Sequence, residues 1–264
     1  MSTLQTRPQA RRLALPLIAV RFHWLSLWNW RQVYYGRIIE PIAYLLFLAA
    51  GIGGALASGP GQSLGAYLAF VVPGMFAMLA FRSGTAAVSD VANDRKWGVF
   101  AFYALHGGGP AGYLSSIVTI LGTVFLAQLA MVLVLAAVLG GLADVSGPHL
   151  MTTVLTALLV DAGWIAAGAT VAARVQSYAA RDFLLTLTTL PVVLAAPLFY
   201  PLDSAPAYLR AVAHADPLTY QVAWLRDTWS GDPSGLLWAA LWAAITATGA
   251  VPMLARADRV TRER

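Results

Sequence analysis

Six long apolar stretches carry this chain, and the basic residues between them fall almost all on one side. The runs are 38–58, 67–88, 113–141, 150–173, 183–200 and 234–254. A helix needs ~20 apolar residues to cross ~30 Å of hydrocarbon, and each run is near or above that length. Hydrophobic residues make up 59% of the chain and charged ones only 11%, far from the ~25% of a soluble domain. The weakest run is the fifth, which Pro191 and Pro197 interrupt. Proline is tolerated where neighbouring helices satisfy the freed carbonyls. The pattern predicts an all-α integral membrane protein with six transmembrane helices.

The charges orient it. Arg7, Arg11, Arg12, Arg21, Arg31 and Arg37 precede the first run. Arg95 and Lys96 follow the second, Arg174 and Arg181 the fourth, and Arg256, Arg259, Arg262 and Arg264 the last. The alternate connections hold only Arg210 and Arg226. Fourteen basic residues against two place the rich side, with both termini, in the cytoplasm. The net charge of +5 is then a topology signal. Nothing in the chain forms the basic, aromatic-interleaved groove of a single-strand binder, so no nucleic-acid partner is expected. Abundant Ala and Arg with one Lys suggest a GC-rich bacterial genome, hence an inner membrane.

Between the amino terminus and the first run, residues 17–37 mix Trp24, Trp28, Trp30, Tyr34 and Tyr35 with Arg21, Arg31 and Arg37. Amphipathic rings among arginines suit the headgroup level, so this segment reads as an interfacial helix in contact with membrane lipid. The alternative is an extension of the first span that carries its aromatic belt. Small residues at Gly51, Gly53 and Gly54, and at Gly163, Ala167 and Gly168, predict close helix packing.

Two connections are too long to be simple turns. Residues 89–112 start polar, turn aromatic from Trp97 to Leu105, and stop at Gly107-Gly108-Gly109-Pro110. They predict one short amphipathic helix on the cytoplasmic side. Residues 201–233 predict two external helices near the outer surface. Ser204 or Asp203 would cap the first, and Asp216-Pro217 would open the second, which reaches about Trp229.

Much chemistry is excluded. The only lysine, Lys96, is followed by Trp97, so the phosphate loop Gly-x-x-x-x-Gly-Lys-Ser/Thr is impossible. The absence of cysteine rules out thiolate catalysis and Cys-ligated metal. His23, His106, His149 and His214 are scattered over different segments, and no carboxylate pair sits inside a span to hold a metal. Arg82 and Asp161 do lie within spans, where a charge costs roughly 2.5–3.5 kcal/mol. Three readings stand open: they pair across the bundle, their depths differing by about 8 Å; Asp161 lines a path; or Arg82 snorkels to the headgroups.

These features together resemble the permease subunit of type-2 ABC exporters, the group of nodulation lipo-oligosaccharide, daunorubicin-type drug and polysaccharide export permeases. The resemblance runs along nearly the whole chain. It rests on Glu40-Pro41 entering the first span and on Tyr67, Phe70, Pro73 and Gly74 in the second. It rests further on Asp94-Arg95-Lys96-Trp97-Gly98 running through Leu105 to Pro110. The last parts are Phe199-Tyr200-Pro201 and Asp216-Pro217-Leu218-Thr219-Tyr220 with Arg226. Asp94 stands where the family usually has Glu, Val99 where it has a small hydroxyl residue, and Asp216 where it more often has Asn.

The resemblance implies a transport subunit rather than an enzyme. Two permease chains, identical or paralogous, would pack together above two ATPase subunits that carry ATP and Mg; no cofactor belongs to this chain. The short cytoplasmic helix would be the coupling helix, with Trp97, Phe100 and Tyr103 in a groove of the ATPase after Gly98, and Asp94 and Arg95 in rim ion pairs. Tyr200, Pro201, Pro217, Tyr220 and Arg226 would form the external segment. The expected activity is efflux, of the multidrug-resistance kind, of an amphiphilic drug-like or lipid-like molecule, because the spans offer few polar groups to a sugar chain. Glycolipid or polysaccharide export is the alternative, with a secondary transporter or a membrane-embedded lipid enzyme further behind.

Overall fold

The computed structural model describes residues 8–29, 31–49, 51, 63–143 and 145–261. Arg7, Trp30, Gly53, Gly54, the end of the expected first span, the first external turn, Arg262 and Arg264 lie outside the described residues. All described regular structure is helical. In chain order the helices are α1 (Pro8–Asn29), α2 (Arg31–Ala43), α3 (Leu64–Lys96), α4 (Val99–Leu105), α5 (Pro110–Val138) and α6 (Gly147–Arg174). They continue as α7 (Tyr178–Ala195), α8 (Ala207–Ala215), α9 (Pro217–Ser230) and α10 (Ser234–Thr261). A π-helical turn, Tyr44–Ala49, extends α2.

Among the described residues five helices are long and apolar enough to span a membrane: α3, α5, α6, α7 and α10. The sixth expected span begins on α2 and its π turn. Helix starts follow local chemistry. Ser63, Ser146 and Ser177 each cap a helix by accepting a backbone N–H from three residues on. A cap oxygen satisfies one of the donors that the first turn leaves without a partner.

Helix α3 is the axis of the bundle. Every residue from Val71 to Ala80 is buried, as expected of a helix that is apolar all round. It lies closest to α6, where Gly84 and Gly168 meet backbone to backbone: a Cβ on Gly84 would come within 2.8 Å of the Trp164 carbonyl. Gly163 likewise faces the Trp242 indole of α10. In a lipid solvent, close van der Waals approach at small residues holds helices together. By contrast α7 buries only Ala195, and its Phe183, Leu187, Leu190 and Leu194 stay exposed.

Three expectations need correction. The segment 17–37 is divided between α1 and α2, and α1 packs against α5. The fifth run stops at Ala195 rather than at 200, because Pro197 biases Ala196 out of helical geometry, to φ −68 and ψ 142. The second of the two helices expected at the outer surface, α9, is instead inserted in the bundle. It buries Leu218, Gln221, Val222, Leu225 and Thr228, and Gln221 accepts from the Trp164 indole at 2.5 Å. Trp164 lies seventeen residues into α6, about 25 Å along its axis. Only α8 keeps a surface position, with Tyr208 and Val212 exposed. Pro206 rather than Ser204 or Asp203 stands at its N-cap, whereas Asp216 caps α9 as expected, accepting from Leu218 N.

Candidate functional site

Basic residues from several helices gather at one end of the bundle, called here the basic end. Helix α3 ends there at Lys96, and Gly98 turns the chain into α4. Gly98 has φ +78, a left-handed conformation that side chains disfavour. The turn places α4 across the end of the bundle.

The two faces of α4 differ. Phe100 and Tyr103 point inward and are 5% and 8% exposed. Phe100 meets the Tyr113 ring edge-on at 4.8 Å, and burial raises the Tyr103 hydroxyl above its ordinary pKa. Trp97, Phe102 and Leu105 point outward, at 60%, 65% and 75% exposure. The expected docking face of Trp97, Phe100 and Tyr103 is thus split, and only Trp97 of the three is presented. The spacing of an amphipathic helix shows that two faces exist, but not which one the rest of the protein covers.

Asp94 and Arg95 also point inward. Asp94 is buried, accepts from the Tyr113 hydroxyl at 2.7 Å and pairs with His23 Nε2 at 2.8 Å. Arg95 donates to the Ala172 carbonyl at 2.6 Å, in the last turn of α6, where exposed carbonyls favour a cation. Lys96 lies 3.7 Å above the Tyr178 ring of α7. One stretch of three residues, Asp94 to Lys96, therefore fastens α3 to α1, α5, α6 and α7. An apolar cavity of about 520 Å³ separates α4 from α1, walled by Phe22, Trp97, Phe102 and Tyr103 among others.

Deeper in the bundle, Arg82 forms an ion pair with Glu40 of α2, so of the three open readings the pairing with Asp161 is not the one adopted. Asp161 approaches α3 near Ser83 and lies 3.7 Å from the Cβ position of Gly122 on α5. Ser83 is one residue beyond Arg82, about 100° round the helix, so the two charges face different sectors. Asp161 is 1% exposed, and its Oδ1 has no hydrogen-bond partner among the described residues. Glu40 is the ionisable residue missed among the spans. It lies inside the first predicted span, and that position was the available signal.

Beside Arg82 and Glu40 lies a cavity of about 280 Å³. A second, of about 300 Å³, shares Arg37, Ser89 and Leu121 with it and reaches Asp90 and Trp97. Arg37 pairs with Asp90 at 4.0 Å, and its carbonyl accepts from Gln128 at 2.8 Å. Together the two cavities form a charged cleft between α2, α3, α5 and α7, lined at the basic end by His23 and Ser26 of α1.

At the opposite end the expected external residues serve the backbone. After α7 stops, the carbonyls of 197–199 have no helical partner. Arg226 of α9 donates to Pro197 at 2.8 Å and to Leu198 at 3.3 Å, and the Tyr67 hydroxyl donates to Phe199 at 2.9 Å. Burial lowers Arg226 to about 10, which keeps it charged at neutral pH, and its guanidinium stacks 3.7 Å from the Phe70 ring. Tyr200 donates to Ala195 at 3.0 Å and Tyr220 to His214 at 2.9 Å. Pro201 precedes the short 3-10 turn Leu202–Ser204, and Pro217 is the first residue of α9. Burial raises the Asp216 carboxyl, which caps α9.

Comparison with known proteins agrees with this architecture. Residues 17–229 match the model of the ABC-2 type transporter family. Nodulation protein J of Rhizobium leguminosarum bv. trifolii is 25% identical over 233 residues, covering 80% of this chain and 82% of its own length. The protein of the same name from bv. viciae is 25% identical over 233 residues, covering 80% and 83%. The matched stretch takes in α1 from residue 17, the axial α3, the α4 crossing and the inserted α9. With its apolar helices and no phosphate loop of its own, the chain is a multi-pass membrane protein of transport, and it belongs to the ABC-2 type transporter family.

Proposed function

We propose that this chain is the permease half of an ATP-driven exporter that moves an amphiphilic, drug-like or lipid-like substrate out of a bacterial cell. The basic end faces the cytoplasm, as the positive-inside rule asks. Two copies pack together, and two ATPase subunits carrying ATP and Mg dock beneath them.

The observation that carries this reading is α4. It is a short helix that exposes Phe102 and Leu105, beside Trp97 at the turn before it, at the basic end of a chain that has no phosphate loop. Large exposed aromatics on a helix so firmly anchored suit a partner's groove, since aromatic anchors dominate such interfaces. Gly98 turns α3 into α4, Phe100 and Tyr103 hold α4 to α5, and Asp94 and Arg95 of the adjoining α3 end join α3 to α1 and α6. A push on α4 is thereby delivered to four helices at once. The exposed aromatic face at α4, in a chain without a phosphate loop, supports export over a secondary transporter or a lipid enzyme.

The test is co-purification of the permease with its ATPase subunit, followed by ATPase measurement on the reconstituted complex with amphiphilic drugs and with glycolipids. Trp97→Ala/Phe102→Ala is expected to lose the ATPase and retain the fold. Undiminished association would overturn docking at this face. Stimulation by glycolipids alone would move the substrate to the alternative class.

A further inference from the structure

The cleft between α2, α3, α5 and α7 holds a set of charges that the coupling site does not use. Arg82 lies fourteen residues from the basic end of α3 and eighteen from its other end, about 21 Å and 27 Å along the axis. A charge at that depth is expensive against lipid, and intramembrane ionisable groups face protein, water or a ligand. Here Arg82 and Glu40 line a cavity and remain about a third exposed, at 35% and 29%. Arg37 and Asp90, 4.0 Å apart, line it too or its continuation toward the basic end. The lining is balanced, with the guanidiniums of Arg37, Arg82 and Arg181 against the carboxylates of Glu40, Asp90 and Asp94, and Gln128 adds a polar side chain. The fourth wall is the sparsely packed α7, whose Thr189 faces the cavity.

From this geometry we infer that the cleft receives the polar head of an amphiphile bearing both charges, a zwitterionic headgroup, while its apolar chain stays outside in the bilayer. The inference rests on the export reading for its purpose but not for its chemistry. An anionic head entering the cleft would meet Glu40 and Asp90, and a cationic head would meet Arg37 and Arg82. A head with both charges exchanges partners with each ion pair, so no charge in the cleft is left without a counterion. The residues are already placed: one pair deep, one pair nearer the basic end, with the shared Arg37 between the cavities. The head would enter from the basic end beside Trp97, so its passage would begin next to the helix proposed to receive the push.

The experiment uses the full chain in lipid nanodiscs, without ATP or ATPase. A fluorescent phosphocholine amphiphile is displaced by dodecylphosphocholine, dodecyl phosphate or dodecyl maltoside, which share one chain and differ in head. Dodecylphosphocholine is expected to compete about tenfold better than either of the others, the worth of a charge-assisted pair. Arg82→Gln and Glu40→Gln should each erase that preference. Thr189→Trp fills the cavity from α7 without touching an ion pair and should abolish competition, which keeps the test alive if the charge variants fail to insert. Equal competition by all three heads, a preference for the phosphate or the maltoside, or a preference unchanged in all three variants would overturn the proposal. Binding as expected in a chain that never exports would sink the export reading and spare the cleft. Export indifferent to these substitutions would do the reverse.

Discussion

The chain reverses direction in two demanding places, and it solves them in opposite ways. At the basic end, between α3 and α5, the polar side chains Asp94 and Arg95 turn inward and an apolar face turns out. At the other end, between α7 and α10, the polar side chains again turn inward, but there the whole of α9 goes with them. The first reversal uses charge to join helices to one another. The second uses Arg226 and Tyr67 to satisfy carbonyls that Pro197 released from helical bonding. Backbone polar groups inside a membrane bundle must find partners within the protein. The second reversal is therefore a structural necessity, whereas the first leaves a surface over for a partner.

The contrast can be broken at either end. The largest effect is expected from Arg226→Leu, which strips the donor from two carbonyls and removes the stack on Phe70. It should lower the unfolding free energy by about 3 kcal/mol in a denaturation titration of the detergent-solubilised protein. A loss near zero would mean that water reaches those carbonyls. Next, Tyr113→Phe removes one donor from the buried Asp94 and should cost about 1–2 kcal/mol. Hydrogen exchange should then show earlier opening of α1 than of α9, and equal opening would deny that Asp94 joins α1 to the core. Gly98→Ala meets no neighbour within 4 Å, so only its left-handed backbone matters, at about 1 kcal/mol. That variant should weaken ATPase association by tilting α4. Smallest in stability is Trp97→Ala, expected within about 0.5 kcal/mol of wild type because the ring is exposed. Its signature is a loss of ATPase binding at unchanged stability, the reverse of Arg226→Leu.

The legible parts of this protein are those encoded over short distances. Apolar run length marked where the long helices lie, and of the two cap sites read from sequence one holds, at Asp216-Pro217, while Ser204 or Asp203 does not cap α8. Asp216-Pro217 opened α9 where those two residues predict it, one as cap and one as first helical residue. Partners far apart in sequence were not legible. Nothing near Asp94 announces His23, seventy-one residues earlier, so a buried joint read as a rim charge. Nothing near Arg82 announces Glu40, although Glu40 stood inside a predicted span. Helix α9 carries an amphipathic pattern that fits a membrane surface and a bundle interior equally well. The deciding facts, Trp164 above Gln221 and the open carbonyls beside Arg226, lie on other helices.

Composition and charge order alone therefore determined the solvent, the helical class and the bias of the two sides. Those depend on transfer free energies summed over runs of about twenty residues, which no packing detail can reverse. Tertiary structure alone decided which face of α4 is free, whether α9 lies on the bundle or in it, and which carboxylate receives Arg82. In lipid the apolar face of a helix is equally content against a neighbour or a chain of methylenes. Contact geometry and polar pairing, rather than hydrophobicity, make those choices.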